Sequence, residues 1–290
     1  MRMAASRTIW TLWYQGFDHA PPLVHACLDS WRRLNPEWQV VALDRDSLAD
    51  WIDLRDAIDP DRSDLTVQKI SDIARLCLLR SYGGVWTDPT VFCLRPLQAW
   101  LPTPLPADFA AFRNPARDRL MGSWFIAAGK DSALLAGLYE AFVGFMNSRM
   151  FSNQNNLFGR IAVKGLQQVL GSDIRLTTRW LSPWLQDRVR AHPYLIFHYT
   201  FNKLILTNPD LRRLWQQALP LEAGLSHRLQ AFADRRDGLA MALEAIDRGD
   251  WALQKLDWRT DLASPYWSAV MRRLADHVWR HDSAIQSAAE

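Results

Sequence analysis

Residues 71–88 run SDIARLCLLRSYGGVWTD, from Ser71 to Asp88, and the reading of the chain turns on them. Ile73, Ala74, Leu76, Cys77, Leu78 and Leu79 make a segment that is apolar nearly all round, so a helix here must be buried. The pattern predicts a helix over Thr66–Tyr82, stopped by Gly83-Gly84. At 3.6 residues per turn, Gln68, Ser71, Asp72 and Arg75 fall within an arc of roughly 100°, one narrow polar stripe on a buried helix. An Asp and an Arg at this spacing can simply pair with each other. Burying such a pair costs free energy unless further partners exist, and a ligand would supply them. Both readings stay open on spacing alone.

After the helix, two glycines allow a sharp turn and close approach of another group. Val85-Trp86-Thr87 then reads as a short buried strand that delivers Asp88 to its C-terminal end, where open α/β sheets place ligands. A carboxylate there can hold a divalent cation or accept hydrogen bonds from sugar hydroxyls. Taken alone, Asp88-Pro89 is also an ordinary turn at a strand end.

Working outward, Thr8–Trp13 reads as a strand rich in β-branched and aromatic residues. Pro21-Pro22 opens a helix to Leu34, Asn35-Pro36 ends it, Trp38–Leu43 is a second strand, and Asp46–Trp51 starts a further helix. Val91–Leu94 is apolar, and Pro102, Pro104 and Pro106 mark an irregular crossing. Phe109–Phe112 and Ser123–Ala128 read as paired strands around a polar turn, and from Ser132 the pattern is mostly helical. The expected architecture is α/β: a single domain over 1–290, with an α/β core at about 8–130 and a mostly helical cover at about 131–290 closing the cleft.

Composition narrows the function classes. Lys and Arg total 34 against 31 Asp and Glu, and the charges are interspersed, which argues against a nucleic-acid partner despite the basic pI. The three cysteines, Cys27, Cys77 and Cys93, lack metal-type spacing and sit in apolar runs, as buried reduced thiols in a reducing compartment do. No apolar leader and no run of about 20 apolar residues is present, so the chain is expected to be cytoplasmic, with peripheral contact at the inner face of the membrane left open. Most of the fifteen tryptophans, Trp180 and Trp184 among them, are expected to pack in the core, and some to stack on sugar or base rings. His198, in an apolar stretch, reads first as a hydrogen-bonded core histidine and second as a ligand contact. Asn153–Asn156 form a polar loop with no assigned role.

Taken together, Ser71-Asp72-Ile73-Ala74-Arg75-Leu76, Leu78-Leu79 and Tyr82–Asp88 resemble the donor-site signature of the capsular polysaccharide synthesis glycosyltransferases, of the type with a DxD motif and a sugar-binding region. Trp10–Gly16, Ala20-Pro21, Cys27, Ser30-Trp31, Asn35-Pro36, Pro96-Leu97, Trp100-Leu101, Ser123–Ala128, Phe197–Asn202 and Lys255-Leu256 extend the likeness over most of residues 8–260. The resemblance implies a GT-A fold, a Rossmann-like nucleotide-binding sheet with additional C-terminal helices. It implies hexosyl transfer from a UDP-sugar or similar donor, with Mn²⁺ or Mg²⁺ and retention at the anomeric carbon, to a glycan or lipid-linked glycan acceptor of a capsular or other surface polysaccharide. By the same likeness Trp13 stacks on the base, with Trp10 as the alternative platform; Asp72 and Arg75 hold the donor sugar; Asp88 is the first acid of DxD and the metal ligand; Lys255 and Trp258 close over the diphosphate; and Ser123, Trp124 and His198 are candidates for the acceptor side. One departure stands out: the triplet is Asp88-Pro89-Thr90, with threonine in place of the second acid, which puts the metal in question. It also motivates a rival reading, a non-catalytic carbohydrate-binding or scaffold protein descended from such a transferase.

Overall fold

The computed structural model describes residues 7–148, 157–189 and 193–289; the Asn153–Asn156 loop lies outside them. In chain order the elements are β1 (Thr8–Leu12), α1 (Pro22–Leu34), β2 (Gln39–Leu43), α2 (Val67–Tyr82), β3 (Gly84–Thr87), β4 (Val91–Cys93), β5 (Phe109–Ala116) and β6 (Arg119–Ala128). Then follow α3 (Ala133–Asn147), α4 (Leu157–Leu170), α5 (Ile174–Thr177), α6 (Ile196–Thr207), α7 (Pro209–Gln217), β7 (Leu219–Glu222), α8 (Arg228–Ala233), α9 (Gly238–Arg248), β8 (Leu253–Lys255) and α10 (Pro265–Ala289).

The α/β class is as expected. Six strands order β2-β1-β3-β6-β5-β7 in one sheet, and β4 and β8 form a separate two-stranded ladder. β1 and β2 run parallel, from Thr8 opposite Gln39 to Leu12 opposite Leu43. β5 and β6 are antiparallel, with two register shifts between Ala111 and Ala116, so the larger sheet is mixed. Two details depart from the expectation: the Asp46–Trp51 helix is a single 3₁₀ turn over Ser47–Asp50, and the helical second half contains β7 and β8, strands too short to carry a period of their own.

The chain divides into two compact units that interleave along the sequence. One, the α2 unit, comprises Ser47–Val85 and Pro104–Leu221; the other, the β1 unit, comprises Arg7–Asp46, Trp86–Thr103 and Glu222–Glu290. In the α2 unit, the Thr66 hydroxyl caps α2 by accepting from the Lys69 amide, and Ile73, Ala74, Leu76, Leu78 and Leu79 are wholly buried. Each buried Leu or Ile contributes about 2 kcal/mol of apolar transfer. Gly83 ends the helix at φ 68°, and a Cβ there would meet the Ala128 carbonyl and the Lys130 amide at 3.1 Å, so glycine is required twice over. Trp180 is fully buried, but Trp184 is 65% exposed, so packing accounts for the first and not the second.

In the β1 unit, α1 buries Leu23, Val24, Cys27, Leu28, Trp31 and Leu34. Its polar side chains fix the neighbouring segment: Trp31 Nε1 donates to the Val91 carbonyl at 2.8 Å, the Cys93 amide to Ser30 Oγ at 2.9 Å, and the Leu97 amide to Asn35 Oδ1 at 2.7 Å. β4 is thereby held rigidly by buried hydrogen bonds. The cysteines are free and buried, as expected; burial pushes the Cys77 thiol up to about 11 and the Cys93 thiol up to about 12, which makes both inert.

Candidate functional site

The residues singled out from the sequence fall into two groups, one in each unit. In the α2 unit, Arg75 and Asp72 lie one helical turn apart with Nη1 to Oδ1 at 2.6 Å. The arginine side chain is 5% exposed and the aspartate 16%, so the carboxylate marks the open end of a buried ion pair. The guanidinium also sits 5.3 Å from the centre of the Phe197 ring, a cation–π contact that helps to offset its desolvation.

His198 follows Phe197 on α6. Its Nδ1 is shut from solvent and has no hydrogen-bond partner among the described residues, so this nitrogen lacks the bond expected of a core histidine. Burial, reinforced by the positive charges of Arg119 and Arg75, lowers its pKa to about 3, so the imidazole is neutral at ordinary pH. The same helix carries a polar network that the sequence did not announce. Tyr199 Oη donates to Asp118 Oδ2 at 2.9 Å, and Asn202 Nδ2 donates to the Asp118 carbonyl at 2.8 Å and to Thr177 Oγ1 at 2.9 Å. The Leu120 amide donates to Asn202 Oδ1 at 3.0 Å, so α6 pins the β5–β6 turn from within. Asp118 reads as a turn residue in sequence; only the helix that covers it makes it buried.

Ser123 is half-buried on β6, whereas Trp124 is stacked on Phe112 with ring centres 4.5 Å apart. Trp124 is 6% exposed, so it serves the core and not an acceptor surface.

In the β1 unit, all of β1 is buried, and Trp10, at 1% exposure, is a packing residue that offers no face to a base. Trp13 is different. It follows the strand, its amide continues the parallel ladder to the Leu43 carbonyl at 2.9 Å, and it is half-buried. Its buried Nε1 has no partner among the described residues. Trp258, 44% exposed, meets it edge-on with ring centres 6.2 Å apart, so the fold brings together two aromatic residues from opposite ends of the chain.

Asp88 lies just past β3, and its Oδ1 accepts from Trp86 Nε1 at 3.1 Å. Two residues on, the buried Thr90 hydroxyl accepts from Lys255 Nζ at 2.6 Å. The β4–β8 ladder fixes this contact: Val91 pairs with Lys255, Phe92 with Gln254 and Cys93 with Leu253, and the Leu256 amide donates to the Thr90 carbonyl at 2.8 Å. Lys255 Nζ also donates to the Leu256 carbonyl at 3.1 Å. These donors suit a divalent cation poorly. Only one carboxylate is offered, one of its oxygens already accepts an indole N–H, and the hydroxyl at position 90 faces an ammonium. Among the described residues no group of three or more His, Cys, Asp or Glu side chains is placed to hold a metal.

Comparison with known proteins bears on both groups. The sequence profile of a family described as "Capsular polysaccharide synthesis protein" matches residues 2–158. The chain is similar to the glycosyltransferase afumC of Aspergillus fumigatus, 32% identical over 159 residues, which are 47% of this chain and 40% of that protein. It is also similar to the O-glycosyltransferase braB of Annulohypoxylon truncatum, 28% identical over 158 residues, 48% of this chain and 38% of that one. The matched stretch thus spans less than half the length of these relatives. Among solved structures, the PaToxG glycosyltransferase aligns over 74% of this chain and 86% of its own at 12% identity, with a TM-score of 0.39, too loose a likeness to carry an argument.

Proposed function

Since the chain belongs to the capsular polysaccharide synthesis protein family, we propose that it is a glycosyltransferase that takes a hexose from a nucleotide-sugar, UDP-linked in our reading, and transfers it with retention to a glycan or lipid-linked glycan acceptor of a surface polysaccharide. The observation that carries this reading is the Asp72–Arg75 pair: a carboxylate fixed by a buried guanidinium, inside the segment the family profile matches. Such a carboxylate accepts hydrogen bonds from neutral sugar hydroxyls, while its bound arginine holds it in one orientation. Trp13 supplies an aromatic face for the base, with Trp258 braced against it. Lys255 supplies positive charge for the diphosphate, whose negative charge grows as the glycosidic bond breaks. Asp88, just past β3 and in the same unit as Trp13 and Lys255, is the acid of the triplet in this reading.

Among the described residues no helix is long and apolar enough to cross a membrane, and we propose peripheral contact with the inner membrane face. The reading is tested by thermal stabilisation with a panel of nucleotide-sugars, with and without Mn²⁺. One donor is expected to raise the melting temperature above the rest. If none does, the reading falls. Stabilisation by a donor that is never consumed, even with acceptors supplied, would instead favour a carbohydrate-binding descendant of a transferase.

A further inference from the structure

We propose that the Lys255 ammonium is a built-in cation that does for the donor diphosphate what a divalent metal is expected to do, so that nucleotide binding needs no metal. The inference rests on the donor reading above. Its starting point is where the ammonium is held. Position 90, where the resemblance expects a second metal-binding acid, carries a threonine, and the hydroxyl of that threonine accepts from Lys255 Nζ at 2.6 Å. The contact is not a chance meeting of long side chains. Lys255 is opposite Val91 in the β4–β8 ladder, the Leu256 amide binds the Thr90 carbonyl at 2.8 Å, and Trp31 locks the Val91 carbonyl at 2.8 Å from the other side. Sequence and backbone together put a positive charge beside the third position of the triplet, where the second acid would stand.

The ammonium's partners are both neutral. Nζ donates to Thr90 Oγ1 and to the Leu256 carbonyl, and among the described residues no carboxylate lies within ion-pair distance. A half-buried cation held only by neutral oxygens has lost hydration without gaining a counter-charge, and an anion is what would restore the balance. A second cation at the same place would be repelled by the ammonium and would find a hydroxyl in place of a carboxylate. A diphosphate fits on both counts. In transfer, the bond between the anomeric carbon and the diphosphate oxygen breaks and that oxygen keeps the electron pair. The acceptor oxygen bonds to the carbon and its proton leaves to water. Lys255 answers the added negative charge and is itself unchanged.

The test is calorimetric titration of the chain with UDP, and with GDP, ADP and CDP in parallel, in EDTA and in MnCl₂. The nucleotide that binds is expected to do so with the same affinity in both buffers. Lys255→Met is expected to weaken it roughly 10- to 100-fold in EDTA, the range of a lost charge-assisted hydrogen bond, and Lys255→Arg, which keeps the charge, to weaken it less. Binding that appears only with Mn²⁺, or an unchanged affinity in Lys255→Met, overturns the inference and leaves the donor reading standing. If no nucleoside diphosphate binds in either buffer, the donor reading falls and the inference with it.

Discussion

Arg75 and Lys255 are both withdrawn from water, in opposite ways. Arg75 has a carboxylate at 2.6 Å on its own helix, so its charge is answered inside the fold. Lys255 is held by a hydroxyl and a carbonyl, so its charge is left for something else. The difference separates a cation that orients from a cation that binds. An internally neutralised pair fixes the geometry of Asp72, whereas a charge held by neutral oxygens is stored attraction for an anion.

The largest effect expected from this contrast is on stability. Arg75→Met strands the Asp72 carboxylate in a mostly buried place and should cost about 3–5 kcal/mol in urea denaturation. Lys255→Met removes a charge that has no internal counter-charge and should be neutral or stabilising. Equal losses in the two variants would erase the distinction.

A smaller effect separates the two tryptophans of the first strand region. Trp13→Ala should weaken nucleoside diphosphate binding by about 1–3 kcal/mol, the value of a base–aromatic stack, with little change in the melting temperature. Trp10→Ala, a cavity in the core, should instead lower stability by about 3–5 kcal/mol. A nucleotide affinity unchanged in Trp13→Ala would move the base to another surface.

The smallest effect concerns pH. The folded pKa of His198, about 3, lies below that of the unfolded chain, so the unfolded state takes up the proton first. Stability should therefore fall as pH drops from about 6.5 toward 3, with a slope of at most about 1.4 kcal/mol per pH unit from this group. Burial depresses His277 in the same direction, and it adds to the slope with the same sign. Melting curves of wild type and His198→Gln between pH 7 and 5 check this: the variant should show the shallower dependence, and parallel curves would remove His198 from the account.

How far the sequence went depended on whether the information was local. α2 was legible because an apolar run, a threonine cap and a double glycine all lie within one segment, and the Asp72–Arg75 pair is visible in its spacing. Lys255 is legible only through resemblance, because a three-residue strand in a helical region has no period, and its partner Thr90 is 165 positions away. Asp118 is not legible for the same reason: it is the covering helix, with Tyr199 and Asn202, that turns a polar turn into a buried network. The choice between Trp10 and Trp13 was also non-local. Both are aromatic residues of one β segment, and only the packing on both faces of β1 shows that Trp10 is sealed while Trp13 lies beyond the strand.

The central claim, that this chain uses Asp72 to hold the sugar of a nucleotide-linked donor, is tested most directly by measuring nucleoside diphosphate release from a panel of nucleotide-sugars in EDTA, for wild type and for Asp72→Asn. The account predicts release from one donor by wild type, faster when an acceptor glycan is present, and a loss of roughly 100-fold or more in Asp72→Asn, the scale of removing one oriented polar contact that acts at the transition state. Release by Asp72→Asn at the wild-type rate, or no release from any donor by wild type in EDTA or in MnCl₂, would contradict it.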